Sequence, residues 1–429
     1  MSSELRSDLA RATAEEVARR SYGKLVAFLA ARTRDVAGVE DALSEAFASA
    51  LADWPKNGCP ANPEGWLLTV ARRKTIDALR VRQRRERAAE ELRVMDDELE
   101  AAERSSPIPD QRLALMFACA HPAIDAGVRA PLILQTVLGL DAKVIGSAFL
   151  ISPAAMGKRL VRAKEKIREA GIPFVVPELE ELPARLDAVL DAIYAAFAEG
   201  WTDPAGTDAA RRDLTEESLF LARLVTELLL DNAEALGLLA LLLYAESRRL
   251  ARRSNEGDFV PLAEQDTGLW DSRAIAEAES VLKSASRLRN PGRFQLEAAL
   301  QSAHTHRCQS GHWNWPEVLQ IYDALFELTG SPVVAINRAL AVAEIDGAEV
   351  GLNILKKLGD DARLGEYQPY WAARAELLSR NNAFDEARRA YEIAIGLERD
   401  DAVRRFLQKR QSKLKTWALS GSKLLHPLA

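Results

Sequence analysis

The amino-acid sequence predicts an all-α protein of several domains, on three observations. Ala, Leu, Glu and Arg dominate the 429 residues, and these are strong helix formers. Apolar residues recur at spacings of three and four, while the strict alternation of a half-buried strand is hard to find. The chain is also too long for one compact core, so two to four domains are expected.

The elements follow in order. Residues 10–87 read as closely connected helices, with Leu25, Phe28, Leu29, Val39, Leu43, Phe47 and Leu51 at helical spacing. Trp54-Pro-Lys-Asn-Gly-Cys-Pro-Ala-Asn-Pro63 is crowded with breakers and predicts a loop. A helix starts near Pro63–Glu64, where a missing N–H costs little, and runs past Arg80. Residues 88–110 turn acidic and end in Ser-Ser-Pro-Ile-Pro, which reads as a linker. A second small helical unit spans Asp110 to Arg168, closed by Gly171-Ile-Pro and Pro177.

From about residue 180 the chain is a long series of helices containing a repeat. Trp315, Val318, Tyr322 and Leu325 share their spacing with Ala348, Gly351, Leu355 and Leu358, and with Phe384, Ala387, Tyr391 and Ala394. Offsets of 33 and 36 residues bracket the period of about 34 typical of tetratricopeptide helix pairs. Small residues let paired helices approach, and aromatics fill the gap to the next pair.

Charge divides the same way. Residues 1–177 hold 27 Lys and Arg against 24 Asp and Glu, and the remainder carries a net −9 within a total of −6. A basic front and an acidic rear place nucleic-acid contact in the front half. Three scattered cysteines, Cys59, Cys119 and Cys308, exclude a disulfide framework and point to a reducing compartment. The polar N-terminus lacks a signal-peptide stretch, and the longest apolar run, Leu236 to Ala245, is far short of a membrane span. A cytoplasmic protein without membrane contact is expected.

Gly139 to Arg168 carries the strongest local signal. A short apolar helix ends near Phe149, and Ser152-Pro153 supplies an N-cap and first-turn proline for the next. On that second helix Met156, Leu160, Ala163 and Ile167 form one stripe, with Lys158, Arg159, Arg162 and Lys166 on an adjoining face. A helix–turn–helix needs this design, since its second helix enters the major groove among phosphates. A solvated face on an ordinary helix is the plain alternative, and the cap, turn and stripe together favour DNA. Arg72 to Arg87 is the other basic segment, following Trp66; bases stack on aromatics and phosphates pair with guanidinium groups in single-stranded DNA. A solubilising helix tail explains that segment equally well when it is taken alone.

Val39-Glu-Asp-Ala-Leu-Ser-Glu-Ala-Phe and Asn62-Pro-Glu-Gly-Trp-Leu-Leu-Thr-Val-Ala-Arg-Arg-Lys-Thr-Ile-Asp-Ala-Leu-Arg80 resemble region 2 of an extracytoplasmic-function sigma factor of the sigma-70 family. Gly139 to Arg168 resembles region 4, and Pro109 to Ala123 with Ala170-Gly-Ile-Pro-Phe is similar to the subgroup with a tetratricopeptide-like C-terminal extension. The resemblance implies a region 2-like domain at 1–90, an acidic linker at 91–109, a region 4-like helix–turn–helix domain at 110–177 and a repeat domain at 178–429. It implies that Glu40, Asp41, Glu45 and Phe47 dock on the β′ clamp helices of core RNA polymerase, where carboxylates set specificity. Asn62, Trp66, Arg72, Arg73, Lys74 and Arg80, with the loop Pro55–Pro63, would open and read the −10 element. Ser152, Ala154, Lys158, Arg159, Arg162 and Lys166 would read the −35 element. Partners implied are core RNA polymerase (β′ clamp helices and β flap), promoter DNA, and a protein ligand or intramolecular contact for the repeat domain.

Three positions depart from the family pattern. Leu150 stands where many such turns have Gly, which predicts a looser turn or another backbone geometry. Gly146 replaces a common Ala, and Ala198-Glu-Gly-Trp replaces an Asn-Glu-Gly-aromatic sequence. The competing functional reading is a DNA- or protein-binding helical-repeat adaptor that does not engage polymerase. His304, His306, Cys308 and His312 offer imidazole and thiolate, but at no spacing of a closed zinc site, so no metal and no cofactor are expected. Cys119 and His121 read as a buried small thiol and a helix-ending His-Pro. Without a phosphate loop, acid/base pair or nucleophile elbow, no enzymatic activity is expected.

Overall fold

A computed structural model describes residues 3–33, 36–82, 110–169, 177–201, 209–311 and 314–420. All regular elements among them are helical, with one isolated bridge between Arg253 and Phe259. No single described helix is long and apolar enough to cross a membrane. The acidic linker at 91–109 and the basic positions Arg84, Arg85 and Arg87 lie outside the described residues. The chain forms two compact units, the first ending at Leu228 and the second beginning at Leu229.

The first unit opens with α1 (Ser3–Thr33), α2 (Val36–Asn57) and α3 (Pro63–Arg82). Each buries one face: Leu25, Val26 and Leu29 on α1, Val39, Leu43, Ala46 and Ala50 on α2, Leu67 and Ala71 on α3. This is the spacing of amphipathic helices around a shared core. The breaker-rich loop is shorter than the sequence suggests. Helix α2 carries Pro55 inside its last turn and ends only at Asn57, because Trp54 is buried and packs edge-on against Trp66 with centroids 5.5 Å apart. Gly58, at φ +89°, then donates its N–H back to Trp54 O at 2.9 Å and stops the helix.

Four shorter helices follow: α4 (Gln111–Cys119), α5 (Ala126–Thr136), α6 (Ala142–Ala148) and α7 (Pro153–Glu169). Asp110, Asp125 and Asp141 cap the first three by accepting first-turn amide hydrogens, each such cap contributing about 1 kcal/mol. Met116, Phe117, Leu132, Ile133, Leu134, Ile145, Met156 and Leu160 form their core.

Two further helices, α8 (Pro183–Trp201) and α9 (Ala209–Leu228), pack in this first unit rather than with the repeats that follow them in sequence. Helix α8 lies on α5 and buries Leu186, Val189, Leu190 and Ile193. Buried Arg185 donates to Phe117 O at 3.2 Å and to Glu181 at 3.1 Å. Arg112 pairs with Glu217 of α9 and stacks over Phe220 at 5.6 Å. The sequence boundary at residue 178 therefore does not coincide with the boundary of the compact units.

The second unit runs through α10 (Ala233–Ser247), α11 (Ser272–Arg287), α12 (Arg293–Ser310), α13 (Trp315–Thr329), α14 (Pro332–Asp346), α15 (Ala348–Leu358), α16 (Gln368–Arg380), α17 (Phe384–Leu397) and α18 (Asp401–Ser420). Each repeat copy read from the sequence starts at the first residue of alternate helices α13, α15 and α17. Val318, Leu325, Gly351, Leu355, Ala387, Tyr391 and Ala394 are all buried. From α12 to α18 each helix packs on the next, and Tyr391 donates to Glu376 at 3.2 Å.

Candidate nucleic-acid and polymerase interface

Helices α6 and α7 meet at 107°, within the range used by helix–turn–helix pairs. The turn between them is tight. Phe149 N–H donates to Ile145 O at 3.2 Å, Leu150 N–H to Ser147 O at 3.3 Å and Ile151 N–H to Gly146 O at 2.8 Å, the paired bonds of a Schellman stop. Leu150 takes the left-handed position at φ +53°; a side chain there costs roughly 1–2 kcal/mol. Neither expectation for this position is met: the turn is tight, and Leu150 takes the left-handed geometry that glycine usually supplies there. Gly146 explains how the turn closes: a Cβ there would lie 2.6 Å from Ile151 O.

Ser152 then caps α7, its Oγ accepting from Ala155 N–H at 3.4 Å. Met156 and Leu160 are fully buried and Ile167 nearly so, while Ser152, Ala154, Lys158, Arg159, Arg162 and Lys166 are exposed. A cleft of about 450 Å³ between α5 and α7 is lined by Asp125, Arg159, Arg162 and Lys166 above a floor of Ile124, Val128, Ala163 and Ile167. Four cations on one outward face, held by a dry stripe, suit a polyanion.

On α2 and α3 the anticipated residues divide. Asp41 and Glu45 are exposed and Phe47 half-buried. Glu45 pairs with Lys74 across α2 and α3 at 2.9 Å, an exposed contact of little energetic weight. Arg72 and Arg73 are exposed, and Trp66 is half-buried against Trp54. Asn62 serves the backbone, its side-chain oxygen accepting from Gly65 N–H at 2.9 Å and so starting α3. Arg80 lies in the stretch of α3 whose side chains fall outside those described.

Glu40 faces inward. It pairs with Lys164 of α7 at 2.5 Å, the two side chains 16% and 21% exposed. Burial pushes Tyr22 up to about 12, with the charges of Glu40 and Asp41 adding to it. Burial likewise raises the Cys119 thiol, helped by Glu40, so this thiol is inert. Glu40, Asp41 and Ser44 line one side of a cleft of about 1140 Å³, with Tyr22, Gln135, Lys164, Asp213, Glu216 and Phe220 around it. Lys164 and Tyr22 were not singled out in the sequence. Their signal was present only as Lys164 falling off the exposed cationic face of α7.

Away from these helices, His304 is half-buried and His306 exposed on α12, while the Cys308 side chain and His312 lie outside the described residues. No group of three metal-binding side chains occurs among the described residues.

The family model described as sigma-70 region 2 matches residues 17–85, from the middle of α1 through α3. A second, described as a family of unknown function (DUF6596), matches residues 185–286 and so spans α8 to α11 across both units. An uncharacterized protein of Rhizobium meliloti (strain 1021) is 39% identical over 364 residues, covering 83% of this chain and 85% of its own length.

Proposed function

We propose, for a chain that belongs to the sigma-70 family by its region 2 and shares one family with the Rhizobium protein along most of its length, an extracytoplasmic-function sigma factor with a helical-repeat extension. Sigma-70 region 2 carries binding to core RNA polymerase and a role in transcription initiation. Beyond this, Glu40, Asp41, Glu45 and Phe47 on α2 meet the basic side of the β′ clamp helices. Trp66, Arg72, Arg73, Lys74 and Arg80 on α3 hold the opened −10 element, bases on the indole and phosphates on the cations.

Helices α6 and α7 read the −35 element with Ser152, Ala154, Lys158, Arg159, Arg162 and Lys166, and α4–α7 face the β flap. The tetratricopeptide-like second unit regulates initiation by holding a protein ligand. A single observation carries the reading: a cationic, exposed face on α7, braced by a buried stripe, in the same chain as region 2.

The test is run-off transcription with core RNA polymerase on genomic fragments, comparing the full chain with Arg162→Ala. Promoter-specific transcripts that need the chain are expected. Removing one phosphate contact should lower the slope of log affinity against log salt by about 1. Binding to DNA with no association to core polymerase at micromolar concentration would favour the adaptor reading.

A further inference from the structure

The second unit concentrates positive charge at one junction. Beyond α10 the chain makes the short 3-10 turn Arg249–Arg252, and the sequence there reads Arg248-Arg-Leu-Ala-Arg-Arg253, four guanidinium groups in six residues. The start of α18 comes back onto this segment. Arg253 pairs with Asp400, and Phe259 meets Phe406 edge-on with centroids 5.3 Å apart. Asp258 accepts from Lys409 at 2.6 Å and from Arg405 at 3.2 Å. Residues 246–260 and 398–413 together hold ten Lys and Arg against six Asp and Glu, inside a stretch, 178–429, whose net charge is −9.

The arginines of the turn are recessed. Arg248 is 8% exposed, and the side chains of Arg249 and Arg253 are each 14% exposed. Glu246 holds Arg249, Asp400 holds Arg253, and Arg248 donates to the neutral amide oxygen of Gln301. Burial, and after it the charges of Arg253, Arg249 and Arg248, push Arg252 down to about 9 against the pull of Asp400. Arg252 therefore stays charged at neutral pH, and the fold bears the cost of gathering four like charges away from water.

Buried donors lie beside them. The turn Thr267–Leu269 packs on Arg249–Arg252, and Asp271 N–H donates to Ser247 O at 2.8 Å, so the Trp270 backbone runs against the start of the arginine segment. Trp270 is 6% exposed, and its indole N–H is buried without an acceptor among the described residues, as is Nη1 of Arg253. An orphaned buried donor is costly, and a small oxyanion would satisfy such donors while neutralising the surplus charge. The abundance of donors selects the anion. A phosphate group offers three acceptor oxygens and more charge than a carboxylate, and guanidinium forks match it bidentately. Recessed groups do not reach the strands of a duplex, which leaves a small ligand.

We propose that the recess of Arg248, Arg249, Arg252 and Arg253, with the Trp270 indole N–H, binds the phosphate group of a small ligand. The site lies wholly in the second unit and is independent of the sigma-factor reading, so either can fail alone.

Calorimetric titration of the full chain at fixed ionic strength tests this, with inorganic phosphate, AMP and citrate as probes. Saturable one-to-one binding of phosphate or AMP below roughly 1 mM is expected, with citrate at least roughly tenfold weaker. Phosphate alone would mark the free ion as the ligand and AMP alone a phosphate ester; either supports the site. Arg252→Gln should weaken binding roughly tenfold or more, as for the loss of one charge-assisted contact. It should also raise the thermal midpoint of the anion-free chain by relieving like-charge repulsion, whereas a purely structural arginine would lower it and leave phosphate binding unchanged. Should Arg252→Gln fail to fold, Trp270→Phe keeps an aromatic ring in place, removes the indole N–H and should still weaken binding severalfold. No saturation by the parent chain, citrate bound as tightly as phosphate, or parental affinity in the folded variant would each overturn the proposal.

Discussion

In the first unit, the helical clusters meet through Gly23 against Val137, Glu40 with Lys164, Arg112 with Glu217, and Arg185 with the Phe117 carbonyl. In the second, α14 to α18 meet through Ile336, Ala339, Leu352, Leu355, Tyr370, Leu377, Ala387, Tyr391 and Leu407 in one continuous apolar cluster. A charged contact gives up hydration that its mutual attraction only about repays, so a partner of the right charge can take its place at little net cost. Interdigitated apolar volume has no such substitute and must be exposed to be separated. The contrast teaches that helices of one chain can be joined by individual polar contacts in one unit and by a continuous apolar cluster in the other.

The largest expected effect lies in the unit joined by the apolar cluster. Tyr391→Ala removes a ring buried at 3% exposure and leaves Glu376 without its donor. A cost of about 3–5 kcal/mol is expected, as for other buried aromatic truncations, seen as a lowered midpoint in urea unfolding. The far-ultraviolet signal of the first unit should persist to higher urea. A single transition shifted for both units together would show that the two do not unfold separately and would remove the basis of the comparison.

A smaller effect is expected at Gly146→Ala, within the first unit. The added methyl would press on Ile151 O at 2.6 Å, and relieving it must open the turn that sets α7 at 107° to α6. Overpacking of this kind costs about 1–3 kcal/mol. Because the turn aims the cationic face, DNA affinity should fall along with thermal stability. An unchanged midpoint with unchanged DNA binding would mean that the turn tolerates alanine and that Leu150 alone sets its geometry.

These two sites also show what the sequence could and could not reveal. The stripes of α7 were legible because both faces lie on one helix, where spacing dictates side. Three helices of the second unit were legible because three copies of one spacing fall on α13, α15 and α17, each from its first residue. The placement of α8 and α9 was not, because the contact of Arg185 with Phe117 joins residues 68 apart and no change of composition marks residue 229. The inward turn of Glu40 was hidden for a related reason: its neighbours Val39 and Leu43 are core and Asp41 is exposed, so a residue at the seam faces whichever partner arrives. Leu150 broke a local rule, and the paired turn bonds around Gly146 overrode it.

The smallest expected effect sharpens the comparison through pH. Burial by itself would raise Asp110, but the Arg112 hydrogen bond and charge, with the Leu113 and Arg112 amides, hold its carboxyl below the usual carboxylate range. A depressed folded value means that this stabilisation is present above the unfolded carboxylate value near 3.9 and is lost as pH falls through the folded one. Asp110→Ala should therefore cost about 0.5–2 kcal/mol at neutral pH, as for the loss of a helix N-cap, and the gap from the parent chain should narrow below about pH 4. The second unit supplies the control, since Tyr391 cannot respond in that range: burial and Glu376 push its phenol upward. Melts of both variants between pH 3 and 7 measure this directly. A gap that stays constant with pH would mean that Asp110 acts through packing alone, and the charged character assigned to the first unit would then rest on its ion pairs only.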